Sequence, residues 1–154
     1  MNKISRDTPI SEITLRRYEK PYDLTKRDLV RKLCLSSGLL QPGDSRDIVV
    51  DILYVMLKAR KDSLLLSSEE IRGRVVEVRK FYKLPLVGVA SSNIRRQIKR
   101  LRDIFLVEKM RNNYRITEFE GVSVIFSEKI EQYLLAALVD RVQEYCKRVD
   151  DEFS

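Results

Sequence analysis

Residues 47–59 read DIVVDILYVMLKA, and no other stretch limits the fold so strongly. At helical period its apolar side chains cover nearly the whole circumference, so as a helix it must be enclosed by its own domain. The helix is expected from about Arg46 to Arg60, after the turn LLQPGDS, with Asp44 or Ser45 as its cap. A chain of 154 residues is long enough for one domain built around such a helix, with a peripheral element or two.

The other segments can be placed around it. Residues 1–25 show no sustained period and contain Pro9 and Pro21, which marks an arm with at most a short helical piece between Ser11 and Tyr18. A first helix is expected from Lys26 to about Ser36, capped by Thr25, with Leu29, Val30, Leu33 and Cys34 on one face and Gly38 as its stop. Residues 1–45 thus form an N-terminal arm and helix. Ser63 to Leu66 suits a short strand, and Ser67 and Glu70 then have the spacing of a capping box. The helix they open carries Ile71, Val75, Val78 and Tyr82 on one side, with Gly73 suggesting a close packing contact, and ends before KLPLVGVA.

Residues 91–104, SSNIRRQIKRLRDI, combine five basic residues with a thin apolar stripe. At about 100° per residue, Ile94, Ile98, Leu101 and Phe105 fall within a sector of roughly 60°, which should face the core. Ser92, Arg96, Lys99 and Asp103 lie opposite, flanked by Asn93 and Arg100 on one side and by Arg95 and Arg102 on the other. After this helix come LVEKMR, Asn112–Asn113 and YRITEF, two strand-like runs joined by asparagines that tolerate the positive φ of a tight turn. Strict pairing across that turn would place Leu106, Met110 and Phe119 on one face and Val107, Tyr114 and Ile116 on the other.

A last helix is expected from Glu128 to about Val149, capped by Ser127. Leu134, Leu138, Val142, Tyr145 and Val149 form its stripe, but YLLAALV, which also contains Leu135, is apolar over more circumference than one domain surface would cover. Pairing with a second copy through Leu134, Leu135, Leu138, Val142 and Tyr145 is therefore expected of residues 120–154.

The net charge of +7 is unevenly spread: residues 91–115 hold eight basic and two acidic side chains, residues 116–154 four and nine. Such concentration favours a polyanionic partner. A composition with 34% charged residues, five Gly and four Pro is that of a helix-rich globular chain. Four Asn and four Gln beside abundant Lys, Arg and Glu are a weak pointer to a thermophilic source.

The order of helix, strand, helix, turn, basic helix and hairpin over residues 46–119 resembles a winged helix-turn-helix domain. SSNIRRQIKRLRDIFLVEKMRNNYRIT resembles the recognition helix and wing of prokaryotic and archaeal winged-helix regulators. The fold class expected is mainly α with a small β-hairpin wing, and with additional N-terminal and long C-terminal helices. By helix-turn-helix docking, Ser92, Asn93, Arg96, Lys99 and Arg100 would approach base edges, while Arg95 and Arg102 meet the backbone. The wing would add Lys109, Arg111 and Arg115 around Asn112 and Asn113, reaching the adjacent backbone or minor groove.

The function expected is that of a sequence-specific, double-stranded DNA-binding transcriptional regulator acting as a homodimer. The alternative is a winged-helix subunit of a chromosome-organisation or replication assembly that works mainly through protein contacts. An enzyme is not expected: P-loop and G-x-S-x-G motifs are absent, and no histidine is present to activate a nucleophile or bind zinc. No metal or cofactor is expected. Cys34 and Cys146 each lie in an apolar stripe and read as buried free thiols. No apolar run reaches membrane-spanning length and the N-terminus lacks a signal-peptide core, so the expected location is the cytoplasm, at the nucleoid.

Overall fold

The computed structural model describes residues 6–154. It is mainly helical, with one small antiparallel sheet. Helix α1 spans Lys26–Ser36, α2 Ile48–Lys61, α3 Ser68–Phe81 and α4 Ser91–Asp103. Strands β1 (Leu66–Ser67), β2 (Val107–Met110) and β3 (Asn113–Ile116) form a sheet in the order β1-β3-β2. A last helix, α5, covers residues 122–152: α-helical over Val122–Ile125, π-type over Phe126–Leu135 and α-helical again over Ala136–Glu152.

The core forms around α2, as its sequence demands. Val49, Val50, Ile52, Leu53 and Met56 are all buried, and α1, α3, α4 and β3 pack on them. Fully burying each such side chain contributes about 1.5–3 kcal/mol. Val30, Cys34 and Leu35 of α1 and Leu39 and Leu40 after it belong to the same core, so residues 26–45 are part of the domain rather than an appendage. Burial pushes the Cys34 thiol up to about 12. Among the described residues no helix is long and apolar enough to cross a membrane.

One side chain on α2 breaks the apolar rule. Asp51 is fully buried, and it is matched by Arg27 from α1 and Arg79 from α3, with Asp47 at the start of α2 completing a neutral group of four. Arg27 donates through Nε to Asp51 Oδ1 (3.0 Å) and through Nη2 to Asp47 Oδ2 (3.1 Å). Arg79 Nη1 donates to Asp51 Oδ2 (2.6 Å) and Asp47 Oδ1 (3.0 Å), and its Nε donates to the Pro85 carbonyl (2.6 Å). Burial alone would raise the pKa of Asp47 and lower that of Arg27. The hydrogen bonds from Arg79 and Arg27 outweigh it and hold the Asp47 carboxyl below its ordinary value, while those to Asp51 and Asp47 hold Arg27 above its own.

Several local expectations are corrected. Residues 11–18 carry no regular secondary structure rather than a helical piece, and are pinned by Arg16, whose backbone N–H donates to Ser36 O (2.8 Å) and whose Nη1 donates to Leu35 O (2.8 Å). Leu29 is exposed, Leu35 taking its place in the core. Nothing lies within 4 Å of a Cβ built on Gly73, so that glycine marks no close contact. The strand expected from Ser63 begins only at Leu66, because Ser63 adopts φ 53°. The capping box of Ser67 and Glu70 is formed in both directions. Helix α5 begins six residues before the expected Glu128, at Val122 with Gly121 as N-cap, and Ser127 lies within it. Cys146 is exposed rather than buried.

Asp51→Ala leaves two guanidinium groups facing one carboxylate in the core. It should lower unfolding free energy by about 3–5 kcal/mol in urea denaturation. A loss under about 1 kcal/mol, the range of a surface pair, would show that the group of four is not a structural unit.

Candidate nucleic-acid interface

Helix α4 is held on three sides before any ligand is considered. Ile94, Ile98 and Leu101 are buried as the stripe predicts, while Phe105 lies just beyond the helix and is half-buried. At the start, Ser91 Oγ donates to Glu69 Oε1 on α3 (2.7 Å). The preceding connection is tied down by Arg72 Nε on Val89 O (2.7 Å) and by Asn93 Nδ2 on Gly88 O (2.7 Å). Gly88 has φ +86°, and a Cβ there would come within 3.1 Å of both Asn93 Nδ2 and Ile48, so the turn is closed around a glycine.

The helix ends in a Schellman motif: Phe105 N–H bonds to Arg102 O (3.0 Å) and Leu106 N–H to Leu101 O (3.1 Å). Phe105 takes the left-handed position with φ 65°, where glycine is usual. Its ring meets Tyr133 of α5 edge-on at 5.8 Å.

The seven residues expected to meet DNA from this helix divide into two groups. Ser92, Arg95, Arg96, Lys99 and Arg102 are exposed along one edge, and no described segment covers them. Asn93 and Arg100 are instead engaged by their own chain. Besides binding Gly88 O, Asn93 accepts from Gln97 through Oδ1 (3.3 Å), while Arg100 donates to Gln97 Oε1 (2.8 Å) and to Leu39 O (2.5 Å). These two position α4 on the domain. Lys99 pairs with Asp103 at 3.2 Å, an exposed contact that contributes little and is readily exchanged. Arg95, Arg96 and Arg102 make no ion pair among the described residues.

The hairpin differs from expectation by one residue in its turn. Val107 pairs with Ile116 and Met110 with Asn113, so the tight turn is Arg111–Asn112, with Arg111 at φ 60°, and Asn113 is a strand residue. This register keeps Val107, Tyr114 and Ile116 buried together. Lys109, Arg111 and Asn112 are exposed at the tip, whereas Arg115 is drawn back to Glu108 Oε2 (2.7 Å) and lies 4.9 Å from the Phe119 ring.

A second candidate surface lies on α5. Leu134, Leu135 and Leu138 are half-buried where the helix leaves the domain; beyond them Val142 and Tyr145 are 63% and 69% exposed. No residue of Ala136–Glu152 is buried. Lys129, which escaped notice within a predominantly acidic segment, borders a cleft shared with Lys99, Arg102 and Lys109.

No family model matches the chain, and no curated protein or solved structure matches it.

The division of α4 is testable without DNA. Arg100→Ala should lower stability by about 1–3 kcal/mol, since it leaves the Leu39 carbonyl without its donor. Arg96→Ala should stay within about 0.5 kcal/mol of the parent in the same urea titration. Equal effects would contradict the assignment.

Proposed function

We infer that the chain is a winged-helix protein that binds double-stranded DNA as a homodimeric transcriptional regulator. The observation that carries this reading is the free edge of α4: Ser92, Arg95, Arg96, Lys99 and Arg102 face outward while the rest of the helix is fixed to the core. A helix held rigidly with its polar edge clear can enter a major groove, where arginine donates two hydrogen bonds to guanine O6 and N7. The β1-β3-β2 sheet supports the reading, since it sets the hairpin beside α4 with Lys109 and Arg111 exposed for backbone or minor-groove contact.

Dimerisation rests on α5. Leu135, Leu138, Val142, Tyr145 and Val149 recur in alternating steps of three and four, the spacing with which one helix buries a seam against another. That seam is half-buried at Leu135 and Leu138 and exposed at Val142, Tyr145 and Val149 in the single chain, and a second copy is the occupant proposed for it. A twofold pair would bring two α4 helices to half-sites about 34 Å apart. The same exposed seam is what favours the rival reading, a subunit of a chromosome-organisation or replication assembly, in which α5 binds a different protein.

Salt-dependent titration with duplex DNA tests the first part. Arg96→Ala should lose about 1–3 kcal/mol on a preferred sequence, whereas Lys109→Ala should weaken all sequences alike. Unaltered affinity and salt dependence in Arg96→Ala would remove α4 as the reading element. Sedimentation velocity tests the second part: Leu138→Asp should give a folded monomer from a parent dimer, and a parent that is monomeric at all concentrations would favour the rival.

A further inference from the structure

Lys129 is a basic residue in a part of the chain that is otherwise mainly acidic, and its position is set by packing. Tyr133, one helical turn further on, meets Phe105 edge-on and so docks α5 against the end of α4. Lys129 thereby borders a cleft of about 470 Å³ whose other walls are the end of α4 and strand β2. Its polar rim is formed by Lys99, Arg102, Lys109 and Lys129 together with Asp103 and Glu108.

The two acids are already committed. Asp103 pairs with Lys99 (3.2 Å), and Glu108 Oε2 accepts from Arg115 (2.7 Å) and from the Glu118 backbone N–H (2.9 Å). Arg102, Lys109 and Lys129 make no ion pair among the described residues, although Lys109 lies 5.9 Å from the Tyr114 ring. Three uncompensated cations from three different elements thus converge on one concavity.

We propose that this cleft seats a backbone phosphate of duplex DNA, with Lys129 bringing a contact from the C-terminal helix. The proposal rests on the DNA-binding reading and adds to it a residue outside the basic helix and the hairpin. A phosphodiester fits the chemistry: its anionic oxygens accept from several donors at once and carry no base identity, so the contact fixes register rather than sequence. It also ties α5, the helix proposed for dimerisation, directly to the nucleic acid.

The full-length protein is titrated with a mixed-sequence duplex of about 30 base pairs over a range of salt concentrations. Lys129→Gln is expected to reduce the slope of log affinity against log salt by about one unit, equally on every sequence. Lys129→Arg should retain the slope, and Lys147→Gln, on the exposed outer half of the same helix, should leave it unchanged. Thermal melting checks that each variant is folded. An unchanged slope in Lys129→Gln while Arg96→Ala weakens binding overturns the phosphate seat and leaves the DNA reading standing. Unchanged binding in both overturns both. An equal fall in Lys147→Gln makes the effect one of net charge and overturns the seat.

Discussion

Two arginines and two aspartates meet inside this protein, and the placement of its other elements follows from that meeting. Arg27, Asp47, Asp51 and Arg79 come from α1, α2 and α3, and the group is neutral, so no charge is left uncompensated in the core. Such a group is not in itself a source of great stability, because desolvating four charges offsets much of their attraction. Its consequence is geometric. Apolar faces can slide on one another at small expense, but a guanidinium bonded to two carboxylates from one helix allows very few relative positions.

The same arginine carries that order towards the candidate interface. Arg79 also holds the Pro85 carbonyl, and Arg72, two turns earlier on α3, holds Val89. Between them they fix the connection into α4, which Asn93 closes over Gly88. The basic helix therefore has two populations of polar side chain with opposite roles. Asn93, Gln97 and Arg100 hold the helix to its own domain, and Ser92, Arg95, Arg96, Lys99 and Arg102 lie exposed along its outer edge. A cation count along the sequence does not separate them, since Arg96 and Arg100 differ only in whether a carbonyl such as that of Leu39 lies within reach.

Much of the fold was legible from periodicity, and the failures have identifiable causes. The stripe of Ile94, Ile98 and Leu101, the enclosure of α2 and the capping box of Ser67 all depend on local spacing, which sequence displays directly. Helix ends were harder, because α2, α3 and α4 each close with a Schellman motif whose left-handed residue is Ser63, Lys83 or Phe105 rather than glycine. The start of α5 was displaced for a related reason: Ser127 is a good cap by type, but Gly121 is also an accepted N-cap and comes first. In the hairpin, Val107, Tyr114 and Ile116 share one face whether the turn is Asn112–Asn113 or the observed Arg111–Asn112, so the apolar pattern did not reveal which register forms. The buried ion group carried one readable signal: an aspartate in the middle of VVDIL, on a helix with no exposed side, requires a cation from elsewhere. Which cation would answer it depended on tertiary contacts across 24 and 28 residues.

On the proposed reading, a rigidly mounted α4 offers its outer edge, and the hairpin tip beside it, to duplex DNA. Chemical-shift mapping of backbone amides and arginine Nε groups during a duplex titration at low salt addresses it residue by residue. The account predicts changes concentrated at Ser92, Arg95, Arg96, Lys99, Arg102, Lys109 and Arg111, with the Nε signals of the buried Arg27 and Arg79 unmoved. Changes confined to α1 or to the exposed seam of α5, or none at all, would contradict it.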